Sequence, residues 1–223
     1  MGENARKRAA RSEPRAYHHG NLRQALLDAA LSLFERRGDL DFTLRELARQ
    51  AGVTHNAPYR HFASKADLRA ALTDEGLSRL AAAERAALLA ASEDPRGRVR
   101  ALGEAYIRFA FEQPTLFRLV LTAPVPDAEQ GRAKGSASYR LLEASIESAQ
   151  SAGAVRRDLR PRELALGAWA FVHGIATLLT SGRLPATATA VERYVTLLST
   201  MFFEGASPGL TAAPLAGRGK ATS

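Results

Sequence analysis

The chemistry of this chain is concentrated between Thr43 and Lys65. Asn56 carries an amide that can donate to and accept from one adenine edge, and Arg45 and Arg60 carry the fork that matches guanine. His55 completes a base-edge set. Thr43, Thr54, Tyr59, His61 and Lys65 bring hydroxyls, an imidazole and a cation, groups that suit phosphate oxygens when they sit near helix ends. Ala57 offers a methyl of the kind that meets thymine. Taken singly, Tyr59 and His61 also fit as partly buried packing residues. Taken together, the groups predict a nucleic-acid contact.

The flanking residues supply the elements that would hold them. Thr43 and Glu46 form a capping-box pair that starts a helix. Leu44, Leu47, Ala48 and Ala51 recur at helical spacing and give it one buried stripe. Gly52 follows, where a left-handed turn costs little. Thr54 opens a second short helix with Pro58 in its first turn, where proline removes at most one backbone bond. Val53 and Phe62 are apolar anchors on either side of the polar face. Ser64 caps a third helix, with Asp67 in the box position. Two short helices joined by a glycine turn predict a helix-turn-helix reading head.

Residues 17–72 resemble the N-terminal domain of TetR/AcrR-type transcriptional regulators. The resemblance is carried by LLDAALSLFERRG, TLRELARQAGV and YRHFASKADL. YHHGNLRQALL ahead of the first helix, and Trp169, His173 and Gly174 in AWAFVHGIATLL, resemble the subgroup with a Trp–His–Gly type of C-terminal domain. The resemblance implies that Tyr59 and Lys65 hold the DNA backbone. It also implies that the chain dimerises and that a small-molecule effector changes the separation of two reading heads.

Composition agrees with a regulator. The net charge of +8 and a pI near 10.4 favour a polyanionic partner. Arg6, Lys7, Arg8, Arg11 and Arg15 outnumber Glu3 and Glu13 in a basic arm that suits phosphates or a minor groove, or is simply solvated. There is no cysteine, so disulfides and thiolate metal sites are excluded. The five histidines fall in no metal-ligand spacing, and no phosphate loop or nucleophile elbow occurs. Neither an enzyme nor a cofactor is expected. With no signal peptide visible, a cytoplasmic location is.

The remaining periodicity predicts an all-α fold of about nine helices. Residues 1–16 read as a disordered arm, 17–63 as the DNA-binding domain, 64–205 as an effector-binding and dimerisation domain, and 206–223 as a disordered tail. Leu164–Gly182 contains no Asp, Glu, Lys or Arg, long enough for a membrane span. His173, Gly167, Gly174, Thr177, Thr180 and Ser181 weigh against a bilayer, so the stretch is assigned to a buried dimer helix. Helices 162–182 and 190–204 form the expected homodimer surface, as half of a four-helix bundle. Helices between 94 and 152 would enclose a pocket, with Tyr106, Phe109, Phe111, Phe117 and Tyr139 as aromatic walls and Trp169 and His173 as an i, i+4 pair. Aromatics at such spacing also serve as plain core. Arg108 is expected to pair with Glu104 one turn earlier. The function expected is a repressor that a ligand releases from a palindromic operator in double-stranded DNA. The alternatives are an activator of the same family and an architectural protein without sequence preference.

Overall fold

The computed structural model describes residues 22–121 and 137–207. The expected basic arm, the whole Pro- and Gly-rich loop over 122–135, and the tail from 208 onward lie outside the described residues. Among those described there are eight α-helices, one 3₁₀ turn and no strand. The helices are α1 (Leu22–Arg37), α2 (Leu44–Gln50), α3 (Lys65–Ala90), α4 (Pro95–Glu112), α5 (Pro114–Leu121), α6 (Ala137–Ser151), α7 (Pro161–Thr180) and α8 (Ala188–Gly205). The chain divides into two compact units between Asp67 and Leu68, just inside α3.

The N-terminal unit is built on α1 and α2. Leu26, Leu27, Ala30, Leu33 and Phe34 of α1 are buried, as are Leu44, Leu47 and Ala48 of α2. Gly38 ends α1 at φ 79° and Gly52 follows α2 at φ 68°, both in the left-handed region where a side chain is strained. The expected second helix of the reading head is not an α-helix. Pro58–Arg60 is a single 3₁₀ turn. Pro58 has no N–H to extend an α-helical ladder backward. Ala57 N instead bonds Thr54 O at 2.9 Å, and His61 N bonds Pro58 O at 2.9 Å, both three residues apart.

The C-terminal unit is organised around α4, which packs against α5, α6, α7 and α8. Asp94 caps α4 through the amides of Arg96 and Gly97, with Pro95 in the first turn. One core cluster joins Val99, Ile146, Ala149, Val155, Leu164 and Ala165 to Ala206. Ala206 is 1% exposed and its carbonyl accepts the amide of Arg156 at 2.8 Å, so packed chain includes the first residue of the expected tail. A second cluster joins Ile107, Leu179, Val191 and Val195. Arg108 pairs with Glu104 at 2.8 Å, as the spacing required. The apolar helix α7 has a mean hydropathy of 1.3, yet only 22% of that stretch is buried within one chain.

Candidate nucleic-acid interface and ligand cavity

The reading head is set by its caps. Thr43 Oγ1 accepts the amide of Glu46 at 3.1 Å, and Thr43 N donates to Glu46 Oε2 at 2.8 Å. Arg37 at the end of α1 donates to Glu46 Oε1 at 2.6 Å, tying α1 to the start of α2. The backbone hydrogen bond from Thr43, followed by that from Arg37, holds the Glu46 carboxyl down at about 2. At the start of α3, Ser64 Oγ accepts the amide of Asp67. The Asp67 carboxylate reaches back to Ala63 N rather than to the cap residue itself.

This frame exposes Arg45, Thr54, His55, Asn56, Tyr59, Arg60 and His61 together with Thr43 and Lys65. Tyr59 is 51% exposed, an unusual position for a large ring without a partner surface. Phe62 is buried beneath them, with the Arg23 guanidinium 5.7 Å from its ring centre. Ala57 differs from the other expected contacts: with Pro58 it is buried, and its methyl packs into the head. Lys65 Nζ rests 3.0 Å from Asp41, in a pair exposed on both sides. Such a pair contributes under about 1 kcal/mol and is readily exchanged for a phosphate. The Thr43 hydroxyl, by contrast, is engaged in the α2 cap.

A cavity of about 50 Å³ lies in the C-terminal unit between α3, α4, α6, α7 and α8. Tyr106, Tyr139 and Trp169 line it. Phe117 and His173 stand behind that wall: Phe117 packs edge-on to Tyr106 at 5.4 Å, and His173 Nδ1 shares a 2.9 Å hydrogen bond with the Tyr106 hydroxyl. The Trp169 ring lies 4.9 Å from His173 and 6.2 Å edge-on from Tyr139. Phe109 is buried and faces a separate groove between α3 and α4. Burial lowers the His173 pKa and raises that of Tyr106, which keeps both rings neutral.

Sequence reasoning missed the acid in this cavity. Glu84 of α3 lines it and is 3% exposed. Ser138 donates to Glu84 Oε1 at 2.6 Å, while Oε2 is buried without a hydrogen-bond partner among the described residues. Burial pushes the Glu84 carboxyl up to about 7 against the opposing effects of Ser138 and Arg85. The signal was present in the register. Leu72, Gly76 and Leu80 are all buried at i, i+4 spacing, and Glu84 is the next position on that stripe.

Known proteins place the chain. Residues 26–72 match the family model of bacterial regulatory proteins of the tetR family, and residues 99–202 match the tetracyclin repressor-like C-terminal domain. Nucleoid occlusion factor SlmA of Marinobacter nauticus is 33% identical over 145 residues, spanning 64% of this chain and 73% of that protein. The HTH-type transcriptional regulator SrpR of Pseudomonas putida is 44% identical over 64 residues, 29% of this chain and 27% of that one. A solved structure of a Rhodococcus protein of unknown function is 38% identical with a TM-score of 0.73, covering 87% of this chain and all (100%) of that one. With the helix-turn-helix frame at one end and the α4-centred helical unit at the other, the chain belongs to the TetR family of DNA-binding transcriptional regulators.

Proposed function

We propose that this protein is a homodimeric repressor that reads a palindromic operator and releases it when a small molecule enters the α4-centred cavity. The observation that carries the reading is the placement of a buried, half-partnered acid on α3. That helix begins with a DNA-contact candidate, Lys65, and carries Glu84 into the cavity wall. A ligand that moves α3 would act on the helix whose first turn carries Lys65. To shift the equilibrium it must bind the DNA-incompetent arrangement better, by about 1–3 kcal/mol for ordinary allosteric coupling.

In the head, Arg45, His55, Asn56 and Arg60 are assigned to base edges, and Thr54, Tyr59, His61 and Lys65 to phosphates, with Thr43 supporting them as the α2 cap. Ala57 is left out because it is buried. The dimer is assigned to α7 and α8, which leave Leu166, Phe171, Leu197 and Met201 exposed on a single chain. A two-fold pair presents two heads, as half-site recognition requires. The cytoplasm is the compartment where such a protein meets the chromosome.

The test is selection of bound DNA from a random pool at stated salt. Enrichment of a palindrome supports the reading. Retained binding without enrichment supports an architectural protein, and loss of all binding refutes the reading head. A reporter with the operator placed over or upstream of the promoter separates repression from activation. A second reading follows from the similarity to a nucleoid occlusion factor. It expects action on the nucleoid rather than control of particular promoters, which mapping of bound sites in cells distinguishes.

A further inference from the structure

Among the described residues, Glu84 is the only charged residue that is buried as a whole. A buried carboxylate normally satisfies both oxygens, because an unmet acceptor in a dry site loses its hydration with no return. Here one oxygen is held by Ser138 and the other has no hydrogen-bond partner among the described residues. Tyr106, Tyr139 and Trp169 stand around the same cavity, and Leu142, Val172 and Leu198 close it with apolar surface. The site is short of one hydrogen-bond donor, and that donor must arrive on an otherwise apolar body.

We propose that the cavity takes a hydrophobic primary or secondary amine, whose ammonium group donates to Glu84 Oε2 while its apolar body lies against Trp169 and Tyr139. The inference rests on the cavity being the effector site and adds the chemical class of the effector. A cation suits the site twice over. It supplies the missing donor, and the Trp and Tyr rings favour a positive charge beside them. An anion would set its charge against Glu84 and the ring faces, with only the exposed Arg100 of the lining to meet it.

The neighbouring charges leave Glu84 as the group that responds to pH. Arg85 lies next to it on α3. On α4, Arg100 is exposed, and Glu104 is held by Arg108. Tyr106 on α4 and Tyr139 on α6 have pKa values raised by burial, and His173 behind Trp169 on α7 has one lowered by burial. The residues that α8 contributes to the lining are Val195, Leu198, Ser199, Phe202 and Phe203, none of which titrates. An amine that requires the ionised carboxylate displaces the proton of any protonated Glu84, so its affinity rises with pH up to neutrality and then levels.

Trp169 is the single tryptophan of the chain and lines the cavity, so its fluorescence reports occupancy directly. The probes are 4-phenylbutylamine, 4-phenylbutanol and 4-phenylbutyrate, three charges on one skeleton without indole emission. The amine is expected to bind about tenfold tighter than the alcohol, as a charge-assisted hydrogen bond implies, and the acid weakest. The amine's affinity should rise from about pH 5.5 to about pH 7.5 on the wild-type protein, over a range in which an alkylamine stays protonated. Glu84→Gln, which keeps an acceptor for Ser138, should bring the amine level with the alcohol and abolish the pH dependence. Equal binding of the three probes, or an amine preference that survives Glu84→Gln, overturns the amine assignment and leaves the ligand cavity standing. No response to any probe overturns the cavity as a ligand site together with the assignment.

Discussion

Glu84→Gln should stabilise the protein above neutral pH and remove a pH dependence that the wild type shows. The Glu84 carboxyl rises from its ordinary value of 4.5 to about 7 because burial penalises the charged form. Between those values the folded chain keeps a proton that the unfolded chain has lost, so stability falls as pH rises. Each pH unit of the shift corresponds to about 1.4 kcal/mol, which gives about 3 kcal/mol lost by the time Glu84 is ionised. That is a large share of an ordinary domain's stability. Glutamine has no charge to bury, so the variant should be flat where the wild type declines. His173 runs the other way: burial lowers its pKa, and the stability it contributes is lost as pH falls through the histidine range. Glu46 and Glu163, both held down at about 2, lose their contributions only in acid. These opposing slopes are common to both proteins and cancel in the difference. The assay is urea unfolding of wild type and variant at constant ionic strength, from about pH 5 to about pH 8.5. A difference that stays constant across that range would refute the burial of an ionisable Glu84.

Further expectations concern the head and the dimer. Tyr59→Phe and Lys65→Ala should weaken binding to every DNA sequence alike, and Lys65→Ala should lower the salt slope by about one. A change of preferred sequence would remove either residue from the phosphate set. Asp41→Asn frees Lys65 from its 3.0 Å partner and should tighten DNA binding a few-fold in the same titration; unchanged affinity would mean the pair does not compete. Asn56→Ala should relax preference at one symmetric base pair per half-site, at a cost of about 1–3 kcal/mol of discrimination, and an unaltered selected motif would rule out a base contact. Leu197→Arg, at an exposed apolar site on α8, should yield monomers in sedimentation and lose operator binding; a dimer that persists would place the interface elsewhere.

The helical frame was legible because its signals are local. The Thr43–Glu46 box, the Asp94–Pro95 start and the glycines after α1 and α2 each act within a few residues, and all appear in the structure. The reading-head turn was misjudged because capping logic predicts where a helix starts, whereas the missing amide of Pro58 decides which ladder follows. The aromatic walls were half legible. Helical spacing placed Tyr106 and Trp169 on inward faces. It could not separate the ring that lines the space, Trp169, from the ring behind it, Phe117, because that depends on which helix lies opposite. Glu84 was overlooked for a related reason. The Glu84–Arg85 pair in an alanine-rich helix reads as solvated unless Glu84 is set on the i, i+4 stripe of Leu72, Gly76 and Leu80, and that this stripe is the buried one is a tertiary fact.

The uncharged run of α7 follows from having work on two faces. Its inner side supplies Trp169 and Val172 to the cavity, and Leu164, Ala165, Ala176 and Leu179 to the buried core. A helix with only that duty would carry charges on the other side. Instead the outward positions are Leu166, Ala170, Gly174 and Thr177, and a side-chain carbon added at Gly174 would meet nothing within 4 Å. Small outward residues permit close approach of another helix, and α8 carries Leu197 and Met201 outward in the same fashion. Phe171 belongs to both faces: it lines the cavity and is 39% exposed. A ligand that displaces Trp169 or Val172 therefore presses on the helix that the proposed dimer shares, and one buried amine could be felt by both subunits without a dedicated path between them.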